Sequence, residues 1–186
     1  MTTTTATTTA TDRWFVAPLR ARRAAGLRFR AVNDVDLLRE AIALAVDSAA
    51  TIGGPFGAVV ALDGRVIGRG ANRVVAENDP TLHAEVVAIR EACRTIGSFD
   101  LTGAVLYASC EPCPMCFGAA WWARVDRIVH AASRADAAGA GFDDAAIYAD
   151  VSLPADQRTL ETVQLLAEDG WRPFAAWAAN PARVPY

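Results

Sequence analysis

The sequence predicts a three-layer α/β/α sandwich on a mixed sheet. Three observations carry this: a helical apolar pattern opens the fold, a tight hairpin follows, and short apolar strands then alternate with helices. Asn33 or Asp34 can cap the first helix, and Val35, Leu38, Ile42, Ala45 and Val46 recur at helical spacing. That helix should run to about Ala50 and stop at Gly53-Gly54-Pro55. Residues 56–62 and 65–73 read as strands, and Asp63-Gly64 between them is a two-residue hairpin signal. After a polar loop at 77–80, a helix begins near Thr81, with Val86, Val87, Ile89, Cys93 and Ile96 as its apolar residues. Residues 104–108 form a short buried strand. Residues 113–123 form a helix with Pro114 in its first turn, where proline is tolerated, and 128–131 form a further strand. Beyond Ala140 the pattern weakens into a Gly-Phe-Asp-Asp turn, a polar stretch and an aromatic-rich tail.

A chain of 186 residues, 53% apolar and 21% charged, has the composition of one globular domain. The net charge of −3 argues against a broad phosphate-binding surface. All the basic residues are arginine, which excludes Schiff-base lysine chemistry. Four cysteines in this setting make no disulfide framework, and a reducing cytoplasm fits best. No run reaches the roughly 18 apolar residues of a membrane span. Residues 1–30 read as a flexible Thr- and Arg-rich extension that cannot build a core, and the domain proper as 31–186.

The chemistry is concentrated in His83-Ala84-Glu85 and Pro112-Cys113-Pro114-Met115-Cys116. His83, Cys113 and Cys116 make three soft ligands. A structural zinc site closes its shell with four, whereas a catalytic one uses three and keeps a position for water. Only His130, Cys110 and Cys93 remain as candidates for a fourth; Cys93 lies more than two helical turns past His83, and no spacing rule recommends Cys110. Glu85 is the spare carboxylate, able to handle protons without binding the metal. H-x-E followed by P-C-x-x-C is the pattern of zinc deaminases acting on nucleobases. Both halves fall where a loop meets a helix N-terminus, whose unpaired N–H groups and dipole favour thiolates.

On these motifs the chain resembles the cytidine-deaminase superfamily, and within it the bacterial guanine-deaminase branch. Further residues that carry the likeness are Gly54-Pro55-Phe56-Gly57-Ala58, Asn72, Asn78-Asp79-Pro80-Thr81, Trp122-Ala123-Arg124, Gly141-Phe142-Asp143-Asp144, Ile147-Tyr148 and a tail ending in Tyr186. The resemblance covers residues 31–186. It implies a five-stranded sheet and one Zn2+ per chain on His83, Cys113 and Cys116. Catalysis would fall to Glu85 and Asp144, within a purine pocket of Phe56, Asn72, Ala84, Trp122, Asp144 and Tyr186. It also implies a homodimer whose C-terminal segment, from about residue 150, is exchanged between subunits. The implied reaction is guanine plus water to xanthine plus ammonia. Guanosine, cytosine, an aminotriazine and, less favoured, tRNA adenosine are the competing substrates. A non-enzymatic zinc-stabilised module would leave Glu85 and the pocket without a role. Each pocket residue also has an ordinary structural reading: a turn for Asn72, core packing for Phe56 and Trp122, a loop cap for Asp143 or Asp144.

Overall fold

The computed structural model describes residues 31–185, with side chains from Asp34 onward. The extension 1–30 and Tyr186 lie outside the described residues. The elements run α1 (Ala31–Ala49), β1 (Gly57–Leu62), β2 (Arg65–Ala71), α2 (Val74–Glu77), α3 (Ala84–Ile96), β3 (Val105–Cys110), α4 (Pro114–Trp122), β4 (Arg127–Ala132), α5 (Arg134–Gly139), α6 (Ala145–Val151) and α7 (Arg172–Ala179). Short 3-10 turns stand at Ala155–Gln157 and Asp169–Trp171. The hairpin turn forms as its residues require: Asp63 and Gly64 take φ of 51° and 77°, both in the left-handed region. The short helix α2 precedes the polar loop expected at 77–80 and overlaps it only at Glu77. The Asp-Asp turn opens into α6.

The sheet order is β2-β1-β3-β4, with β1 antiparallel to both neighbours and β3 parallel to β4. The sheet is mixed, as expected, but among the described residues it has four strands and the expected fifth is absent. After β4 the Ser133 capping box turns the chain directly into α5, and no described segment returns to the far edge of β4.

Period-two alternation sorts the strands between two cores. Ala58, Val60 and Leu106 pack with Ala84, Ala88, Ile89 and Ala92 of α3 and Ala120 of α4. Val59, Ala61, Val105 and Tyr107 pack with Leu37 and Ala41 of α1. Helices therefore cover both faces, and β3 is buried along its whole length. The α1 face differs in part from the expected one: Ala45 is buried and Leu38 packs against the core as expected, but the rest of the stripe is rotated. Leu37, Ala41, Ala45 and Ser48 are buried, while Val35, Ile42 and Val46 lie outward, Val46 at 63% exposure. Small residues win because the helix sits against Gly57, where a Cβ would collide with the Ala41 carbonyl. On the opposite face Gly68 and Gly70 admit α3 in the same way, against Ala88 and Ala84. That close approach sets the height of the α3 N-terminus over the sheet.

Candidate active site

His83 is the N-cap of α3 and Cys113 the N-cap of α4, both in extended conformation, so each chain turns sharply into its helix there. Cys116 lies one turn into α4 and is fully buried. The imidazole Nδ1 of His83 stands 3.5 Å from Cys113 Sγ and 3.5 Å from Cys116 Sγ. All three ligand atoms lie within 4.8 Å of one another. A tetrahedral zinc with bonds of about 2.3 Å to sulfur and about 2.05 Å to nitrogen requires N···S separations of about 3.5 Å. The three donors meet that requirement, and they are the one such cluster among the described residues.

The electrostatics agree with a cation there. The Cys113 thiol is pulled down to about 4, first by donation from Cys116 and then by His83. Cys116 is pushed up, first by the hydrogen bond to Cys113 and then by burial. Two adjacent thiolates repel, and a dication between them removes that penalty. Hydrogen bonding to Cys113 raises His83. Glu85, in the first turn of α3, is 7% exposed, and burial raises its carboxyl above the usual range.

The other expected residues are placed unequally. Ala84 is wholly buried under Gly70. Asn72, at the end of β2, accepts from Gly54 N–H at 3.3 Å and Val74 N–H at 3.2 Å, so its side-chain oxygen serves the loop and its NH2 is the group it can present. Phe56 is half-buried and meets Phe142 edge-on at 5.0 Å. Trp122 ends α4 at 56% exposure. Of the two aspartates, Asp143 is used locally, accepting from Ala145 N–H at 2.9 Å. Asp144 makes no side-chain cap and is half-buried. Burial raises its carboxyl, and the Cys113 thiolate adds to the shift, so α6 brings Asp144 into the electrostatic range of the metal ligands.

Sequence reasoning assigned no role to the contacts that brace the ligand loop. Ser109 Oγ accepts from Gly57 N–H at 3.0 Å, and Tyr148 Oη donates to Pro112 C=O at 2.8 Å. The Ser133-x-x-Asp136 spacing of a capping box was the available sign that α5 follows β4. One cavity, of about 550 Å3, is an arginine-edged cleft over β2 and α3 that contains none of the metal ligands. A second, of about 380 Å3, lies behind Phe56 and Phe142 against α1.

Residues 32–132 match the zinc-binding region of cytidine and deoxycytidylate deaminases. The chain belongs to that family of zinc-binding deaminases. It is 48% identical over 147 residues to guanine deaminase of Bacillus subtilis, covering 78% of this chain and 94% of the relative. The X-ray structure of a guanine deaminase from Bacillus subtilis superimposes with a TM-score of 0.79 at 47% identity, covering 81% of this chain and 97% of that one. A tRNA-specific adenosine deaminase of Agrobacterium fabrum is 50% identical over 78 residues, which span 42% of this chain and 51% of the relative.

Proposed function

We propose that this chain is a zinc-dependent hydrolase of free nucleobases that converts guanine and water to xanthine and ammonia. The observation that carries the reading is the three-donor cluster beside the buried Glu85, in a chain 48% identical to a guanine deaminase across 94% of that enzyme. Zinc held by His83, Cys113 and Cys116 supplies Lewis-acid activation of water near neutral pH. Glu85 moves the protons. Its carboxylate takes one from the attacking water and passes it to the ring nitrogen beside C2, then moves the proton of the new C2 hydroxyl to the amine, which leaves as ammonia while the C2 carbonyl forms. A carboxyl raised by burial is suited to both halves of that transfer.

Recognition falls to the surrounding groups. Asp144 accepts from purine N–H groups and Asn72 donates through its NH2. Phe56 and Trp122 offer flat apolar faces. The likeness to tRNA adenosine deaminases spans 78 to 108 residues, whereas the guanine deaminase likeness extends over 147. With a net charge of −3, this favours a small base over tRNA.

The tail supports a homodimer with an exchanged C-terminal segment. Leu165 is 80% and Trp171 68% exposed, with Leu160, Val163, Leu166 and Phe174 also outward. Among the described residues, no hydrogen bond, ion pair or ring contact of the tail beyond Val151 reaches back past Tyr148. Such a surface calls for a partner. Residues 161–165 belong to no helix or strand, and β4 has an open edge among the described residues, so a second copy can supply the fifth strand by strand addition. Tyr186 of each chain would then close the partner's pocket. Four free cysteines fit a reducing cytoplasm, and no helix among the described residues is long and apolar enough to cross a membrane. Residues 1–30 are read as an extension dispensable for base deamination.

Ammonia release from guanine, guanosine, cytosine, an aminotriazine and tRNA tests the assignment. Guanine should be turned over best. Faster release from guanosine or tRNA would move the chain to another branch of the family. Deletion of residues 1–30 should leave guanine turnover intact.

A further inference from the structure

Between β3 and α4 the chain passes through Glu111, Pro112 and Cys113 before the helix begins. Two braces hold this loop. Glu111 accepts from the Arg134 backbone N–H at 3.1 Å and pairs with its guanidinium at 3.5 Å, while its own N–H donates to Ala132 C=O at 2.9 Å. Tyr148 Oη donates to Pro112 C=O at 2.8 Å, across 36 residues of sequence. Arg134 joins the braces, because its guanidinium also lies 4.3 Å over the Tyr148 ring.

Tyr148 is four residues after Asp144, on the same face of α6 one turn apart. Within residues 141–149 these two are the residues that escape full exposure, so this face is the one α6 turns inward. The Pro112 carbonyl belongs to the peptide that places Cys113. One hydrogen bond therefore ties the helix that carries a substrate-facing carboxylate to the loop that carries a metal ligand. A small helix with no fully buried residue has little else to fix its height.

We infer that Tyr148 is a positioning residue: its hydroxyl, braced by Arg134, sets the distance between Asp144 and Cys113 and so the register of the purine over the reacting centre. This rests on the guanine reading. A displacement of about an ångström at a positioning contact can cost catalysis far more than the contact itself is worth to stability.

The test uses full-length, zinc-loaded protein. Tyr148→Phe keeps the ring on Arg134 and removes only the donor. Zinc content should stay at the wild-type value. kcat/KM for guanine should fall about fivefold to tenfold, mostly through KM. Calorimetric affinity for xanthine should weaken by a similar factor, a readout that does not depend on turnover. In an Asp144→Asn background the same change should cost less than twofold, because the aspartate through which Tyr148 acts is already gone. A full fivefold loss in that background, or unchanged KM and xanthine affinity in Tyr148→Phe, would overturn the inference. A wild-type protein that neither binds xanthine nor deaminates guanine would instead defeat the underlying function, which separates the two failures.

Discussion

The side-chain oxygen of Asn72 accepts from the backbone N–H of Gly54, 18 residues earlier, at 3.3 Å, and so fastens the loop before β1 to the end of β2. The same oxygen receives Val74 N–H at 3.2 Å. Asn72 therefore presents a donor to a ligand, rather than both a donor and an acceptor. Asn72→Asp keeps the oxygen for the loop and replaces the NH2 with a second carboxylate oxygen. It should lower kcat/KM for guanine at least tenfold while leaving zinc content unchanged. Asn72→Ala should in addition lower the melting temperature by several degrees, since two backbone donors lose their partner.

Glu85→Gln replaces a carboxylate by an amide of nearly the same shape that carries no proton. The protein should retain its fold and metal, and turnover should fall by about 10²- to 10⁴-fold. A loss smaller than about tenfold in steady-state kinetics would reduce Glu85 to a first-turn residue that complements the helix dipole.

His83→Ala and Cys113→Ser should each abolish binding of about one zinc per chain, read by atomic absorption after dialysis. Activity should disappear with the metal, and the apoprotein should unfold at lower temperature, because metal binding is linked to folding. Full activity in metal-free wild-type protein would contradict the mechanism.

The exchanged-segment dimer predicts twice the 19.7 kDa chain mass in sedimentation. Truncation after Asp150 should yield a monomer without guanine turnover, and deletion of Tyr186 alone should weaken turnover in an intact dimer. Trp171 and Trp177, outward in the single chain, should fluoresce as buried indoles in the assembled protein. An active monomer would refute the exchange.

Alkaline stability should report on Tyr107, whose hydroxyl donates to Asp34 at 2.7 Å while Arg127 clasps both carboxylate oxygens. Burial first, and then the bond to Asp34, push the phenol up to about 12 from an ordinary 10.0. A raised folded-state value means that this contribution is complete below about pH 10 and is lost as pH climbs toward about 12. Denaturant midpoints should fall across that window, and Tyr107→Phe should flatten the fall.

Residue identity alone decided the metal chemistry and most element positions. Three ligands with a spare carboxylate, an Asp-Gly hairpin and strand-period alternation are local signals, readable because each depends on neighbours a few residues away. The strand ends shifted by one or two residues, and α2, α5, α6 and α7 were not foreseen, being short helices whose apolar periods are too brief to register. The buried face of α1 belonged in part to the tertiary structure, because whether Val35, Ile42 and Val46 or Leu37 and Ala41 join the buried Ala45 depends on which side can approach Gly57. So did the division of labour between Asp143 and Asp144, and the engagement of the Asn72 oxygen. The first turns on α6 coming to lie beside the ligand loop, and the second on Gly54 N–H arriving within 3.3 Å from 18 residues away, placements that no spacing rule contains.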